Sequence, residues 1–147
     1  MQFHGEYQHR VDPQGRVAIP ARYREEFTGG IYLTRGFDQC IWAFSLDEWE
    51  AYSSRYAAMS PNSHVARTLR RRVFGSTFDL ELDRQGRVVL PQPLRQYAGL
   101  QEEVVIVGAG TWLELWDSKR WGEMMVEIDA ADMDFADGDQ RDQEAGS

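Results

Sequence analysis

Two short stretches hold the residues best suited to chemistry, Asp12-Pro-Gln-Gly-Arg-Val-Ala-Ile-Pro20 and Asp83-Arg-Gln-Gly-Arg-Val-Val-Leu-Pro91. Each sets a carboxylate and a guanidinium four residues apart across a tight turn, Asp12 with Arg16 and Asp83 with Arg87. As an exposed ion pair, either would stabilise its turn by only about 0–1 kcal/mol. A guanidinium carries five N–H donors, so one that holds a carboxylate still has donors for a phosphate oxygen or a guanine edge. The pattern therefore predicts either a clasp across the turn or an arginine oriented by its aspartate toward nucleic acid.

Catalysis has little support in these residues. A solvent-facing Asp beside an Arg has its pKa lowered, away from the neutral range that a general acid or base needs. His4, His9 and His64 have no metal-ligand spacing, and Cys40 is the only cysteine, which excludes an internal disulfide and a Cys-based zinc site. No glycine-rich loop joins a strand to a helix in a phosphate-cradling pattern. No enzyme, metal or cofactor is expected.

The elements that position the two motifs follow from a repeat. The stretches match at an offset of 71 with six of nine positions identical, and the match continues at 72, where Gly36 meets Gly108, Phe44 meets Trp116 and Trp49 meets Trp121. Tyr7–Val11 and Phe78–Leu82 alternate as half-buried strands and run into the turns. Asp12 can accept a backbone N–H two residues on, and Gly15 supplies the positive φ that closes the turn, with Asp83 and Gly86 as counterparts. The chain returns as Arg16–Ile19, predicting a hairpin. Pro20 and Pro91 open short helices, and a second hairpin follows in each unit, Ile31–Arg35 with Cys40–Phe44 and Val104–Val107 with Thr111–Leu115.

The spacing Ser45-Leu-Asp-Glu48 predicts a capped helix from Leu46. A further helix from about Ser63 places Val65, Leu69 and Val73 on one stripe, with Arg70-Arg71-Arg72 in its last turn, where cations complement the helix dipole. The fold class is mainly β with short helices (α+β), built from duplicated β-β-α-β-β units over 6–52 and 77–123. A helical connector covers 53–76, and an acidic tail covers 130–147. Neither unit can bury its apolar faces alone, so strands pairing between copies are expected to close a small barrel.

Net charge is −8, but the average conceals a division. From Glu123 onward nine acids face Arg141 alone, while residues 1–122 hold 15 acids and 15 bases, all but Lys119 arginine. Arginine's planar fork suits phosphate and guanine, so the bias leans toward recognition. Few large apolar residues follow Ile128, so the tail is expected to be disordered. No apolar run approaches the roughly 20 residues that span a bilayer, and the N-terminus reads as lacking an export signal, giving a cytoplasmic expectation. Trp42, Trp49, Trp112, Trp116 and Trp121 are more than a small core readily hides, so some are expected between subunits.

The opening Phe3-x-Gly5-x-Tyr7, the doubled Asp-x-x-Gly-Arg-Val-x-x-Pro and the Trp-bearing helix after each second hairpin resemble the MraZ family over residues 1 to about 125. A single unit resembles the wider AbrB-like group, whose swapped-hairpin or double-psi barrel is here supplied by one chain. The resemblance implies a nucleoid-associated regulator of the division and cell-wall gene cluster, binding short direct repeats of double-stranded promoter DNA as a ring-shaped homo-oligomer. By motif match it implies DNA contacts from Arg10, Arg16 and Arg24, with Arg87 the formal counterpart of Arg16. Glu81 stands where the first unit has Arg10, so the first turn is expected to carry the more favourable potential for DNA. A rival from another class is an antitoxin-like protein-interaction module that uses the acidic tail.

Overall fold

The computed structural model describes the backbone of residues 1–145 and the side chains of residues 1–136. It comprises two bodies, Met1–Asp117 and the chain from Ser118 onward. The first unit supplies β1 (Glu6–Arg10), β2 (Arg16–Ala18), a 3-10 helix (Ala21–Phe27), β3 (Ile31–Arg35) and β4 (Ile41–Ser45). α1 (Leu46–Ala57) starts in the first unit and runs into the connector, which supplies α2 (His64–Gly75); the second unit supplies β5 (Phe78–Leu80), β6 (Arg87–Val89), α3 (Gln92–Ala98), β7 (Glu103–Gly108) and β8 (Leu113–Asp117). The helix starts lie where the caps place them. Ser45 Oγ accepts the Glu48 N–H at 3.4 Å, and Ser63 Oγ accepts the Ala66 N–H at 3.2 Å.

This is the α+β class, mainly sheet, built from a duplication. The strands form a six-stranded sheet in the order β1-β7-β8-β4-β3-β5 and a two-stranded ribbon, β2-β6. The units exchange their first strands: β1 adds to β7, and β5 adds to β3. In the ribbon Val17 lies opposite Val88, its counterpart at the 71-residue offset, and in the sheet Trp42 lies opposite Glu114, its counterpart at 72. Residues face their own counterparts only on a twofold axis, so a pseudo-twofold passes through both ladders.

Two expectations change here. The predicted β1–β2 hairpin exists only as a turn, because each of its arms pairs with the other repeat. The six-stranded sheet has β1 and β5 at its two ends, so its ladders do not close a hydrogen-bonded barrel. The second hairpins form, β3 with β4 and β7 with β8, but Gly36 and Gly108 are not equivalent within them. Ile31 meets Leu80 and Val104 meets His9, the counterpart of Leu80, so β3 and β7 match one residue further along than those glycines suggest.

The core lies between the sheet and the ribbon. Val17, Ile19, Val88, Leu90, Ile31, Leu33, Ile106, Leu113 and Leu115 are buried there, along with Phe3, Tyr23 and Phe27. Burying each Val or Leu contributes roughly 1.5–3 kcal/mol, and the ribbon's inner face depends on the opposite pair Val17 and Val88.

A second apolar layer forms where α1 covers β4, and it hides tryptophans that the small core could not. Trp42 packs on Trp112 at 4.8 Å, Phe44 stacks on Tyr52 at 4.8 Å, and Trp49 stacks on Tyr32 at 5.7 Å. Trp42, Trp49 and Trp116 are all buried within the chain, so the tryptophan count gives no reason to place them between subunits. On α2 the buried stripe passes through Ala66 and Val73, whereas Val65 is 66 % exposed. In the second body, α4 runs Ser118–Ala145 and takes in most of the acidic stretch for which disorder was expected. That stretch has no proline and includes Ala130, Ala131, Met133 and Ala136, good helix formers. Residues 146 and 147 lie outside the described residues.

Candidate nucleic-acid interface

Each motif turn is organised around its aspartate. Asp12 Oδ1 accepts the N–H of Gln14 at 3.0 Å and of Arg16 at 2.8 Å, while Oδ2 accepts Arg16 Nε at 2.7 Å. Asp83 repeats the pattern with Gln85 at 2.9 Å, the Arg87 N–H at 2.9 Å and Arg87 Nε at 2.8 Å. Gly15 and Gly86 close the two turns at φ +80° and +76°, a region open to glycine and costly for L side chains. Desolvation pushes the Asp12 carboxyl up, but the Arg16 N–H and guanidinium outweigh it and hold the group below its ordinary value. For Asp83 the Arg87 N–H leads, desolvation opposes it, and the guanidinium adds to the lowering. Both carboxyls stay ionised at neutral pH and act as fixed acceptors, not proton carriers.

The ribbon puts the two arginines on one face. Val17 and Val88 point inward, so their neighbours Arg16, Ala18, Arg87 and Val89 point outward. Arg16 lies opposite Val89 and Arg87 opposite Ala18, which makes the arginines diagonal neighbours, about 7–8 Å apart in general sheet geometry. Each side chain is 28 % exposed. Arg16 also donates from Nη2 to Gln14 Oε1 at 3.3 Å, leaving Nη1 for an outside acceptor. Arg87 engages Asp83 through Nε, leaving both terminal nitrogens.

Arg24 does not stand beside Arg16. It lies against the second turn, in a cleft of about 360 Å³ with Glu81, Asp83, Arg84 and Gly86, and its Nε donates to Ile19 O at 2.9 Å. Arg95, which occupies Arg24's position at the 71-residue offset, lies against the first turn in a cleft of about 340 Å³ with Asp12, Pro13 and Glu102. Each turn is thus flanked by the other repeat's helix. Arg10 is an exposed strand residue whose Nη2 lies 3.5 Å from Glu103 Oε1.

This exchange changes the electrostatics expected from sequence. Arg10, Arg16 and Arg95 serve the first turn with Asp12, Glu102 and Glu103; Arg24, Arg84 and Arg87 serve the second with Glu81 and Asp83. The second turn is the less compensated. Arg84 and Arg95 escape a reading that groups residues by nearness in the chain, although the repeat offset itself marks Arg95.

Arg70 and Arg72 are structural, but not as complements to their own helix. Arg70 Nη1 donates to Tyr56 O and Ala57 O, both at 2.8 Å, at the end of α1; Arg72 Nη2 donates to Gly36 O at 3.0 Å. Among the described residues no cluster of His, Cys, Asp and Glu could hold a metal ion, and no helix is long and apolar enough to cross a membrane. Cys40 is buried, and desolvation pushes its thiol well above the ordinary value, with Glu114 and Asp38 adding to the shift.

Fold and site together define a duplicated swapped-hairpin protein that presents two aspartate-held arginines on an exposed ribbon. The sequence model of the family described as "MraZ protein, putative antitoxin-like" matches this chain twice, over residues 2–72 and 73–145. The transcriptional regulator MraZ of Roseiflexus castenholzii is 40 % identical over 128 residues, 87 % of this chain and 90 % of the relative. That of Thermomicrobium roseum is 42 % identical over 119 residues, 81 % and 84 % of the two chains, and that of Herpetosiphon aurantiacus is 44 % identical over 119 residues, 81 % and 83 %. The chain belongs to the MraZ family.

Proposed function

We propose that this transcription regulator binds promoter DNA through the outer face of the β2–β6 ribbon, with Arg16 and Arg87 as the principal contacts. The observation that carries the proposal is the placement of both guanidiniums on one face, each fixed by an aspartate and each keeping at least one terminal nitrogen without an acceptor among the described residues. A two-stranded ribbon fits the major groove of B-DNA, where an arginine can bond guanine O6 and N7 together. Fixing the fork in advance lowers the entropy lost on binding.

The target is a set of short direct repeats upstream of the division and cell-wall gene cluster, and the regulator works in the cytoplasm on the nucleoid. A ring of copies would engage successive repeats, gaining by avidity without new contacts. Support for the ring comes from the family and from Phe37, Val65 and Phe74, which stay 51 %, 66 % and 39 % exposed.

The test is a titration of labelled duplex carrying direct repeats against wild type, Arg16→Ala, Arg87→Ala and the double variant, with a thermal melt of each. Each single change is expected to weaken binding by about 1–3 kcal/mol per protomer, with melts nearly unchanged and the double variant retaining only non-specific affinity. Equal affinity for all four proteins would return the motif to a turn clasp. A stable complex with a second protein and no retained DNA would favour the antitoxin-like alternative.

A further inference from the structure

A second cationic site lies away from the ribbon's outer face, in the cleft where β3, the end of α2 and the start of α3 meet. The cleft has a volume of about 320 Å³, and Arg35, Arg71 and Arg72 line it with Ser76, Phe78 and Pro93. Among the described residues no carboxylate lines it, and none of the three arginines belongs to an ion pair. Three guanidiniums around one cleft repel one another, and an anion among them would relieve that repulsion.

Two of the three are held in place already. Arg35 lies over the Tyr97 ring at 4.4 Å, and Arg72 lies over the Phe37 ring at 4.4 Å while donating to Gly36 O and the Tyr97 hydroxyl. Complementing the dipole of α2 does not account for the cluster. Arg72 O accepts Ser76 Oγ at 2.6 Å, Val73 O accepts Thr77 Oγ1 at 2.6 Å, and Phe74 O accepts the N–H groups of Ser76 and Thr77. Three of the last carbonyls of α2, those of Arg72, Val73 and Phe74, are therefore satisfied without any arginine.

We propose that this cleft binds a phosphate-bearing anion, with Arg35, Arg71 and Arg72 as its cationic wall. The planar forks match tetrahedral oxyanions in a way that ammonium groups do not. The phosphate could come from the backbone of bound DNA or from a free small phosphate compound, and the chemistry of the cleft is the same for both.

The test uses the full chain with Arg35→Gln and Arg71→Gln, two exposed positions outside the ribbon. In the first arm, inorganic pyrophosphate is titrated calorimetrically at constant ionic strength against chloride. Wild type is expected to bind it and each variant to bind about tenfold more weakly, the loss of one charged hydrogen bond, with unchanged melts. In the second arm, duplex DNA is titrated across a salt series. If DNA supplies the phosphate, the slope of log K against log salt falls by about 0.9 in each variant; an unchanged slope beside a positive first arm assigns the cleft to a free phosphate compound. No difference between wild type and variants in either arm overturns the proposal. The pyrophosphate arm requires no DNA, so its outcome is separate from that of the ribbon.

Discussion

The two motif turns are nearly identical in sequence and in internal hydrogen bonding, yet each has different surroundings, because the helix that flanks it comes from the opposite repeat. Leu90 N–H donates to Gly15 O at 2.9 Å and Ile19 N–H donates to Gly86 O at 2.9 Å, so each turn is anchored by the strand end of the other unit. The second turn gains Arg24 and has Arg84 where the first has Pro13, while Glu102 and Glu103 lie beside the first. A swapped architecture thus lets two copies of one motif diverge through residues about 70 positions away, while the Asp, Gln-Gly-Arg and closing Pro of each motif stay the same.

The glycines of the turns give the largest expected difference. A Cβ at Gly86 would fall inside van der Waals contact with Arg24 Nε, Cδ and Cζ, whereas a Cβ at Gly15 would meet Arg95 Nη1 at 3.0 Å, the far end of a flexible side chain, and Cζ at an ordinary 3.9 Å. Both positions have positive φ, which costs an L residue roughly 1–2 kcal/mol. Gly15→Ala should therefore cost about that much, and Gly86→Ala roughly 1–3 kcal/mol more because Arg24 must leave Ile19 O. Denaturant melts of both variants check this, and equal losses would show that the turns have equivalent surroundings after all.

A smaller contrast concerns the flanking arginines. Arg24 Nε donates to Ile19 O, while Arg95 Nε is buried with no hydrogen-bond partner among the described residues. Arg24→Ala is expected to cost about 1 kcal/mol and to perturb the amide resonances of Arg84 to Arg87, across the repeat boundary. Arg95→Ala should be close to neutral, with its shifts confined to Asp12 to Arg16. If Arg24→Ala instead perturbed the first turn, the exchange of flanking helices would be wrong.

Much of the local structure was legible in the sequence because its causes are local. The Asp-x-Gln-Gly turns, the Ser45 cap, the helix start near Ser63 and the second hairpins each depend on residues within a few positions of one another. What escaped depends on distant partners. Alternation in Tyr7–Val11 marks a strand but not its neighbour, so β1 reads as the partner of β2 when its apolar partners wait in β7. Likewise Val65 fits a helical stripe by spacing, but the fold buries its neighbour Ala66 instead. At the candidate site, Asp12, Arg16, Asp83 and Arg87 were legible as pairs, while the company they keep was not, since Arg24 and Arg95 change places through the fold.

The smallest effect tests whether the clasps are alike in the one respect that sequence implies. Asp12 and Asp83 both have folded pKa values below the ordinary 3.8. A depressed carboxyl contributes stability above its unfolded pKa, and that contribution is lost as pH falls from there through the folded value. Both carboxylates are in contact with solvent and salt, with side chains 26 % and 37 % exposed, so the contribution is small, and the titration itself is the better readout. Carbon-detected NMR should place both carboxyl midpoints below 3.8. Arg16→Ala should raise the Asp12 midpoint only part of the way, because the Gln14 and residue-16 N–H groups still donate to Oδ1. Asp83 should not move, its own arginine being intact and the lost guanidinium lying diagonally across the ribbon. A full return of Asp12 to 3.8 would mean that the side-chain pair, not the backbone of the turn, holds the carboxylate, and a shared shift of both aspartates would mean that the two arginines already act as one charged patch before DNA arrives.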